Sequence, residues 1–583
     1  MRKLRHLTNL SASDHRLNHV RKIVITGLLI RPETWPKLEK LSRAERYIEE
    51  ELFEPEVPKV DSSYDRQTTI SLPIRSRTRR VVVADETTWT SFAQLIQLIP
   101  RLSDLIFNFP GLFPARLLDA LHTFHPNCRL HIADLVLPSL LQPKSDVSGL
   151  DQDDFKLATS PCLHSIGVRQ FFCSSDGQLN YDRDVLLQMI RGASPNLKHV
   201  YVVPGHDDDP HEVRVEYFSS SRPRPTDFFH DGRHEADSRK GELHSFHWDA
   251  DGNSPAEIDE WFSVIDFSQL HSLNIETIGP FTLEKLISSV AETGLNKLQS
   301  LKLRSSSLPW YSESQFRPTA SLLHLLQPLS VLKITAQIGE EILMSVLYYH
   351  GKTLKQLHLT ELQVFNAGQP RVLNDDENMK DLIKFCPNLE DIEFRMRRTL
   401  GDKKEVGLYR ALGGLRRLRR VSIILDCEIV EKNSTFQHVL SENLTRDMFI
   451  NAACDEKLAT SIFTQIFGTE KSRNNPSQSL ELCVIADVIA PSRHSYTRWE
   501  IRTITDWIGR AWLVERPFEG NVKVKELNRH DRERHGEDLQ ADLKEHLGSH
   551  GEAYEKVWRS IWPPRTGNWM MEWESLPLWT EDE

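Results

Sequence analysis

Apolar residues recur along the chain in a six-residue frame, apolar-x-x-apolar-x-apolar, whose intervening positions are mostly polar. Nine clear copies begin at Leu163, Leu197, Leu243, Leu270, Leu298, Leu329, Leu354, Leu389 and Leu418. From Leu243 onward the first leucines are 27, 28, 31, 25, 35 and 29 residues apart, and weaker copies lie at residues 20–25, 78–83, 102–107 and 480–485. Because alternate residues of a strand face opposite sides, each frame predicts a short strand that buries its fourth and sixth positions.

The segments between the frames carry apolar residues at the spacing of one helix face. Ile258, Trp261, Phe262 and Ile265 form one such group, and residues 185–190, 283–290, 342–347 and 379–383 form others. Residues 374–377 (Asn-Asp-Asp-Glu) predict the start of a helix, and His350-Gly351 predicts the end of one. Residues 431–470 also look helical. Each repeat therefore combines one strand and one helix.

A strand that returns after a helix runs parallel to the strand before it, so stacked units build a parallel sheet. The frame and its period are those of leucine-rich repeats. We therefore predict an α/β fold, an irregular leucine-rich-repeat solenoid or horseshoe with a parallel concave sheet, convex helices and a C-terminal capping segment. The alternative, a doubly wound sheet with a nucleotide site, is disfavoured because neither G-x-G-x-x-G nor G-x-x-x-x-G-K-[ST] occurs.

Three regions are predicted along the chain. Residues 1–90 form an N-terminal segment with the first irregular strands, and residues 91–490 form the solenoid, interrupted by an insertion loop at about 204–241 that is rich in Asp, His, Ser and Pro. Residues 491–583 contain eight of the thirteen tryptophans. We interpret this last region as a cap over the end of the solenoid. The alternative is that its final residues are an acidic and aromatic docking tail.

The composition restricts the class of partner. A net charge of −11 opposes phosphate binding, so a protein is the expected partner and nucleic acid is disfavoured. No apolar run reaches the roughly 18 residues of a membrane span, and the N-terminus has no signal-peptide pattern. The seven cysteines are scattered without a C-x-x-C pair, which is typical of a reducing compartment. We therefore predict a cytoplasmic or nuclear protein with no membrane partner.

Three groups of residues contain side chains of the types found at sites of chemistry. The cluster from His206 to Glu212 contains ligand-type side chains without the spacing of a defined metal site, and the basic stretch from Arg416 to Arg420 surrounds a frame leucine. His199, His247 and His358 accompany no recognisable nucleophile motif. We predict no enzyme activity, catalytic residue, metal or cofactor. A metal-dependent hydrolase centred on residues 206–212 is the alternative of a different class.

The fifth frame positions are predicted to face away from the core and to form a row across the sheet. They are Gly167, Tyr201, His247, Asn274, Lys302, Lys333, His358, Glu393 and Ser422. We predict that a partner binds at Tyr201, His247, Asn274, Lys302, Arg304, Lys333, His358 and Glu393. The centre at Lys302 and Lys333, beside Arg304, suits an acidic or phosphorylated segment, while Asp391 and Glu393 form an acidic edge.

Two phrases, Ser194-Pro195-Asn196-Leu197 and Cys386-Pro387-Asn388-Leu389, resemble the repeat junctions of F-box leucine-rich-repeat proteins, especially fungal ones. The resemblance covers about residues 90–430. It implies a ubiquitin-ligase substrate receptor, in which an N-terminal F-box binds the cullin ligase adaptor and the repeat arc binds the protein to be ubiquitinated. Residues 1–18 are too short for an F-box, so adaptor binding would require one upstream of Met1. The alternative is a leucine-rich-repeat scaffold unrelated to ubiquitin.

Overall fold

The computed structural model describes residues 15–26, 86–109, 112–142, 150–170, 179–180, 182–204, 240–252, 255–305, 316–361, 372–427, 441–468, 479–487, 499–517, 521–527, 529, 551–563 and 572–580. These residues fall into two compact units, one that ends at Leu298 and one that begins at Gln299. The predicted frame at 78–83 and the loop with the His206–Glu212 cluster lie outside the described residues.

The first unit is built on a parallel sheet whose strands follow one another in chain order. The strands are β1 (Lys22–Thr26), β2 (Asp104–Asn108), β3 (Arg129–Ile132), β4 (Leu163–Gln170), β5 (His199–Pro204), β6 (Ser245–Gly252) and β7 (Ser272–Ile278). The helices are α1 (Glu86–Leu98), α2 (Ala115–Phe124), α3 (Gln152–Ala158), α4 (Asp182–Gln188), α5 (Pro255–Val264) and α6 (Pro280–Thr293).

The second unit repeats the same arrangement and then changes direction. Its parallel strands are β8 (Ser300–Ser305), β9 (Val331–Ala336), β10 (Gln356–Glu361), β11 (Asp391–Arg397), β12 (Arg420–Asp426) and β13 (Leu480–Asp487). Two antiparallel strands follow, β14 (Ala511–Arg516) and β15 (Lys523–Glu526). The helices are α7 (Phe316–Leu325), α8 (Glu340–Ser345), α9 (Asp376–Phe385), α10 (Lys403–Leu412), α11 (Glu442–Ala452), α12 (Glu456–Phe467), α13 (Trp499–Ile508) and α14 (Gly551–Ile561).

The frame residues form the core of both units, as predicted. In the nine clear frames, no residue at the fourth or sixth position exposes more than 2% of its surface. Parallel neighbours keep these positions in register, so that Leu301 lies beside Leu332 and Leu332 beside Leu357. The alternation of apolar and polar residues thus specifies which side of each strand is buried.

Asn196 and Asn388, from the two Pro-Asn-Leu phrases, tie each repeat to the one before it. The Asn196 amide donates to the carbonyl of Pro161 at 2.8 Å, and the Asn388 amide donates to the carbonyl of Lys352 at 2.8 Å. Each bond satisfies a main-chain acceptor in the turn before the preceding strand. The phrases are therefore structural junctions between neighbouring turns.

Both predicted helix boundaries are present, but the predicted cap at residues 374–377 is not formed by a side chain: α9 begins after Asp375, whose side chain makes no capping hydrogen bond. At the start of α9, the side chain of Asn374 accepts a hydrogen bond from the Arg397 N–H at 3.2 Å and joins the helix to β11. After α8, the helical path continues to His350 and ends before Gly351. A Cβ atom on Gly351 would lie 2.4 Å from the Leu347 oxygen and 2.7 Å from the Phe385 oxygen, so close packing of main chains requires glycine there.

Candidate functional site

The fifth frame positions lie side by side within each unit, and we call them the frame row. In the first unit, Gly167, Tyr201, His247 and Asn274 are consecutive partners in register. In the second unit the order is Lys302, Lys333, His358, Glu393 and Ser422, followed by Cys483 on β13. Adjacent strands are about 4.8 Å apart, so neighbouring side chains in the row contact one another.

The frame row is less exposed than its position opposite the core predicts. His247 exposes 7% of its surface, and His358 and Glu393 expose 9% each. Tyr201, Asn274, Lys302, Arg304 and Lys333 are half-buried. Close packing of row side chains against one another removes water from the middle members. Binding of a partner by these eight residues stays a prediction.

The first-unit part of the row is an aromatic and amide cluster. The rings of Tyr201 and His247 pack with their centroids 5.9 Å apart. The Asn274 amide donates to Nδ1 of His247 at 2.6 Å, which leaves the imidazole proton on Nε2 when the ring is neutral. This pair fixes the ring of His247 and presents a polar edge beside the aromatic face of Tyr201.

The second-unit part begins with two cations on adjacent strands. Lys302 on β8 and Lys333 on β9 are direct partners in register, and Arg304 follows two residues after Lys302 on the same side. The apolar core does not require this pair, because Leu301, Leu303, Leu332 and Ile334 supply the buried side of these strands.

An ionic network continues the row beyond the lysines. His358 lies with Nε2 3.4 Å from Asp391 and with Nδ1 3.6 Å from Glu393, and Thr360 donates to Glu393 at 3.2 Å. Burial favours the protonated form of Asp391, but the attraction of His358, Arg420 and Lys333 holds its pKa below the ordinary value. Asp391 is therefore a carboxylate at neutral pH.

Arg420 links that network to the next strand. Its guanidinium lies 3.1 Å from Asp391 on β11 and 3.1 Å from Glu481 on β13. The basic stretch that contains Arg420 is otherwise a turn: Arg416 and Arg417 are exposed, whereas Leu418 is buried in the core. The sequence singled out the acidic members of this network but missed the bridging role of Arg420.

A row of histidines at the start of the first-unit strands was also missed. We call His131, His164, His199, His244 and His271 the histidine row. Consecutive rings contact edge to face, with centroids 5.5, 5.2, 6.2 and 5.2 Å apart along that order. The signal in the sequence is the triplet Leu-His-Ser, which occurs at residues 163–165, 243–245 and 270–272.

Four members of the histidine row, His131, His164, His199 and His244, favour the neutral form. Burial, with repulsion from His131, lowers the pKa of His164 to about 4. Burial, with repulsion from His164 and His244, lowers the pKa of His199 to about 3. The pKa values of His131 and His244 are also lowered, mainly by burial, although Asp104 opposes the change at His131. Adjacent imidazoles that are partly buried each disfavour the charged form of the other.

Two serine–histidine contacts have the residue types of a nucleophilic pair. His122 lies 2.7 Å from the Ser160 hydroxyl, and His324 lies 2.9 Å from the Ser345 hydroxyl. Both serines are buried, and Ser345 donates to the Glu341 carbonyl of its own helix at 2.7 Å. These contacts hold helices together and do not present a hydroxyl to solvent.

The described cysteines are reduced. Burial raises the pKa of Cys386, like that of Cys128 and Cys454, to about 12. Such thiols are poor nucleophiles at neutral pH. Cys386 is fully buried, whereas Cys483 is half-buried, because its position belongs to the frame row and not to the core side of β13.

Comparison with known proteins finds no matching family model and no significant similarity to a curated protein. Within the described ranges, no helix has the length and apolar character needed to cross a membrane. In the same ranges, no group of three or more His, Cys, Asp or Glu side chains is arranged to hold a metal ion.

Proposed function

We propose that this chain is a non-catalytic repeat protein that binds a partner protein through the frame row. The observation that carries the proposal is the juxtaposition of Lys302 and Lys333 on adjacent strands. The core of these strands does not require either lysine, because Leu301, Leu303, Leu332 and Ile334 supply their buried side. An anionic group on a partner would be attracted by both cations.

The same proposal includes the architecture. Strand order that follows chain order, one helix between most successive strands, and buried frame leucines support a leucine-rich-repeat arc with its sheet on the concave side. On such an arc the row side chains stand on a rigid support. A rigid row reduces the entropy that is lost when a partner binds.

The partner that fits best is a protein segment with an acidic or phosphorylated side chain. Asp391 and Glu393 are paired with His358 and Arg420, so they fix the geometry of the row. Lys302 and Lys333 contribute the cations that contact the segment. A phosphate would interact more strongly than a single carboxylate, because it carries more charge and three acceptor oxygens.

A receptor role in ubiquitin ligation is the second candidate. It rests on the Pro-Asn-Leu junctions, which join turns through Asn196 and Asn388 and resemble those of F-box repeat proteins. In that role the chain would act in the cytoplasm or nucleus together with a cullin ligase adaptor. Because adaptor binding would require an F-box upstream of Met1, the test is co-purification with that adaptor of a chain extended by the in-frame residues encoded upstream of Met1. A scaffold unrelated to ubiquitin would show no adaptor binding.

The experiment that tests partner binding uses an array of acidic and phosphorylated peptides. We expect the purified chain to retain a subset of these peptides and a Lys302→Glu, Lys333→Glu double variant to lose them, with at least a tenfold drop in affinity. Thermal unfolding of the variant should match the wild type, because both side chains lie outside the core. Equal retention by the two proteins would contradict the proposal.

A further inference from the structure

Residues 572–580 contact the second unit without forming a helix or a strand, and we call this segment the strap. The rest of the second unit, which we call the body, holds the main chain of the strap through side chains and through one main-chain carbonyl. The indole of Trp558 donates to the Glu572 carbonyl at 3.2 Å, and that of Trp562 donates to the Glu574 carbonyl at 2.8 Å. Further along, the Ser575 N–H donates to Asp455 at 3.1 Å. These contacts recognise main-chain groups of the strap.

The strap ends on a turn between β11 and α10. The Trp579 N–H donates to the Gly401 carbonyl at 2.8 Å, and Leu578 is 6% exposed. A Cβ atom on Gly401 would lie only 3.2 Å from Leu578 Cδ2. The turn therefore provides both an acceptor for the strap backbone and a close-fitting surface for one leucine.

Charge and aromatic contacts add a chemical preference. Arg559 lies 2.9 Å from Glu572, and Lys457 lies 3.1 Å from Glu574. The Trp579 ring has the Lys403 ammonium 5.1 Å from its centroid and the Arg410 guanidinium 5.8 Å from it. Cations over an indole attract its electron-rich face. The surface under the strap thus favours acidic residues followed by a Leu-Trp pair.

The receiving turn is held in place without the strap. Leu400 and Gly401 have left-handed backbone angles, with φ of 61° and 77°. The buried carboxylate of Glu405 accepts from the main-chain N–H groups of Thr399 at 2.8 Å and Gly401 at 3.0 Å and pairs with Arg398, and Asn451 accepts from the Leu400 N–H at 2.9 Å. All of these groups belong to the body, so the surface is preorganised for its ligand.

We infer that this surface, the strap groove, is a peptide-binding site that the strap occupies in cis. The groove is formed by the turn at Gly401, the α10 residues Lys403 and Arg410, Asp455, and the α14 residues Trp558 and Trp562. Its ligand class is an acidic segment that carries a Leu-Trp pair. A peptide of that class binds in trans when it displaces the strap. This site is separate from the frame row and does not depend on it.

The test begins with the folded full chain. A protease recognition sequence inserted between residues 566 and 567 allows the strap to be separated from the body after folding. A fluorescent peptide with the sequence of residues 572–580 is then added, and its anisotropy is measured. We expect one peptide to bind per cleaved chain, and the uncleaved chain to bind it at least tenfold more weakly because the tethered strap competes at high effective concentration.

Matched variants identify the contacts. A peptide with the Leu578→Ala and Trp579→Ala changes should bind at least tenfold more weakly than the native sequence. In the body, Lys403→Glu with Arg410→Glu should weaken binding, whereas the exposed neighbour Lys404→Glu should not. A cleaved strap that never exchanges with the labelled peptide would overturn the inference, as would binding that is insensitive to Leu578 and Trp579.

Discussion

Leu301 and Leu357 are residues at which the free energy of folding depends directly on the frame. They expose 1% and 0% of their surface, and each faces a frame residue of a neighbouring strand. Replacement of either by Ala should lower the free energy of unfolding by about 2–5 kcal/mol, because a cavity remains where the side chain was packed. Urea denaturation gives the value. The half-buried Val331→Ala on the other side of β9 is the control, with an expected loss below about 1 kcal/mol. Equal losses at all three sites would contradict the assignment.

Glu405 is a second residue on which local structure depends. Its carboxylate is fully buried, pairs with Arg398 and accepts a hydrogen bond from the Tyr409 hydroxyl at 2.9 Å. Glu405→Gln should lower the free energy of unfolding by about 3–5 kcal/mol, because it leaves a buried guanidinium without its counter-charge. Tyr409→Phe removes one donor and should cost about 1–2 kcal/mol. A Glu405→Gln loss no larger than that of Tyr409→Phe would show that the ion pair adds nothing.

At the residue scale, the sequence predicts burial better than it predicts exposure. Leu301 and Ile334 are buried because the period of the strand places them on the core side. His358 and Glu393 have the opposite parity, yet they are also buried, because neighbouring polar side chains cover one another. That covering depends on which residues stand next to each other on adjacent strands. The register between strands, and not the pattern within one strand, determines it.

At the scale of elements, the frames locate the parallel strands β4 to β12 within a few residues. They miss β3, whose four residues are too short to hold the complete pattern. They also miss the antiparallel pair β14 and β15. The tryptophans of this region indicate a cap, and Lys523–Glu526 has only one apolar residue, Val524, on the side opposite its two exposed lysines. The contacts of the strap are long-range in sequence and have no local signal.

The histidine row makes the stability of the first unit depend on pH. In the folded state His164 and His199 stay neutral, since their pKa values lie at about 4 and about 3, whereas in the unfolded chain they bind protons below about 6.5. The unfolded state therefore binds more protons as the pH falls, and stability decreases from about pH 6.5 toward pH 4. Lys22, Arg129, Lys198 and Lys297 disfavour protonation further, and Asp104 and Glu242 oppose them.

Hydrogen exchange, corrected for the intrinsic rate at each pH, measures this effect in separate elements. Between pH 7 and pH 5, protection of β4 to β6 should fall more than protection of β10 to β12. Among the described residues of the second unit, His350 is the one histidine whose pKa is lowered. A His164→Gln, His199→Gln double variant should reduce the pH dependence in β4 to β6. Unchanged pH dependence in that variant would mean that the row does not control it.

At the scale of the whole molecule, the net charge of −11 and the lysine pair act in opposite directions on an acidic partner. The overall charge repels such a partner at long range, and that repulsion decreases within about 10 Å at 0.1 M salt. Contact with Lys302 and Lys333 acts at shorter distances, where partly buried charges are screened less. A Lys→Glu double change removes two positive charges and adds two negative ones, so it lowers the net charge by four and strengthens the repulsion even if the lysines contact no partner.

A charge-matched control separates these two effects. Lys380 and Lys404 are exposed on α9 and α10, and their replacement by Glu brings the net charge to −15, the same value as for Lys302→Glu with Lys333→Glu. We expect the control variant to keep its affinity for the acidic peptides within about threefold, a difference of about 0.7 kcal/mol, while the row variant loses at least tenfold. Affinity is measured at 50 and at 300 mM NaCl. At 300 mM the control variant should bind as tightly as the wild type, since salt screens the long-range repulsion, whereas the row variant should remain weaker. Equal losses in both variants would place the effect in the overall charge and would remove the main support for partner binding at the frame row.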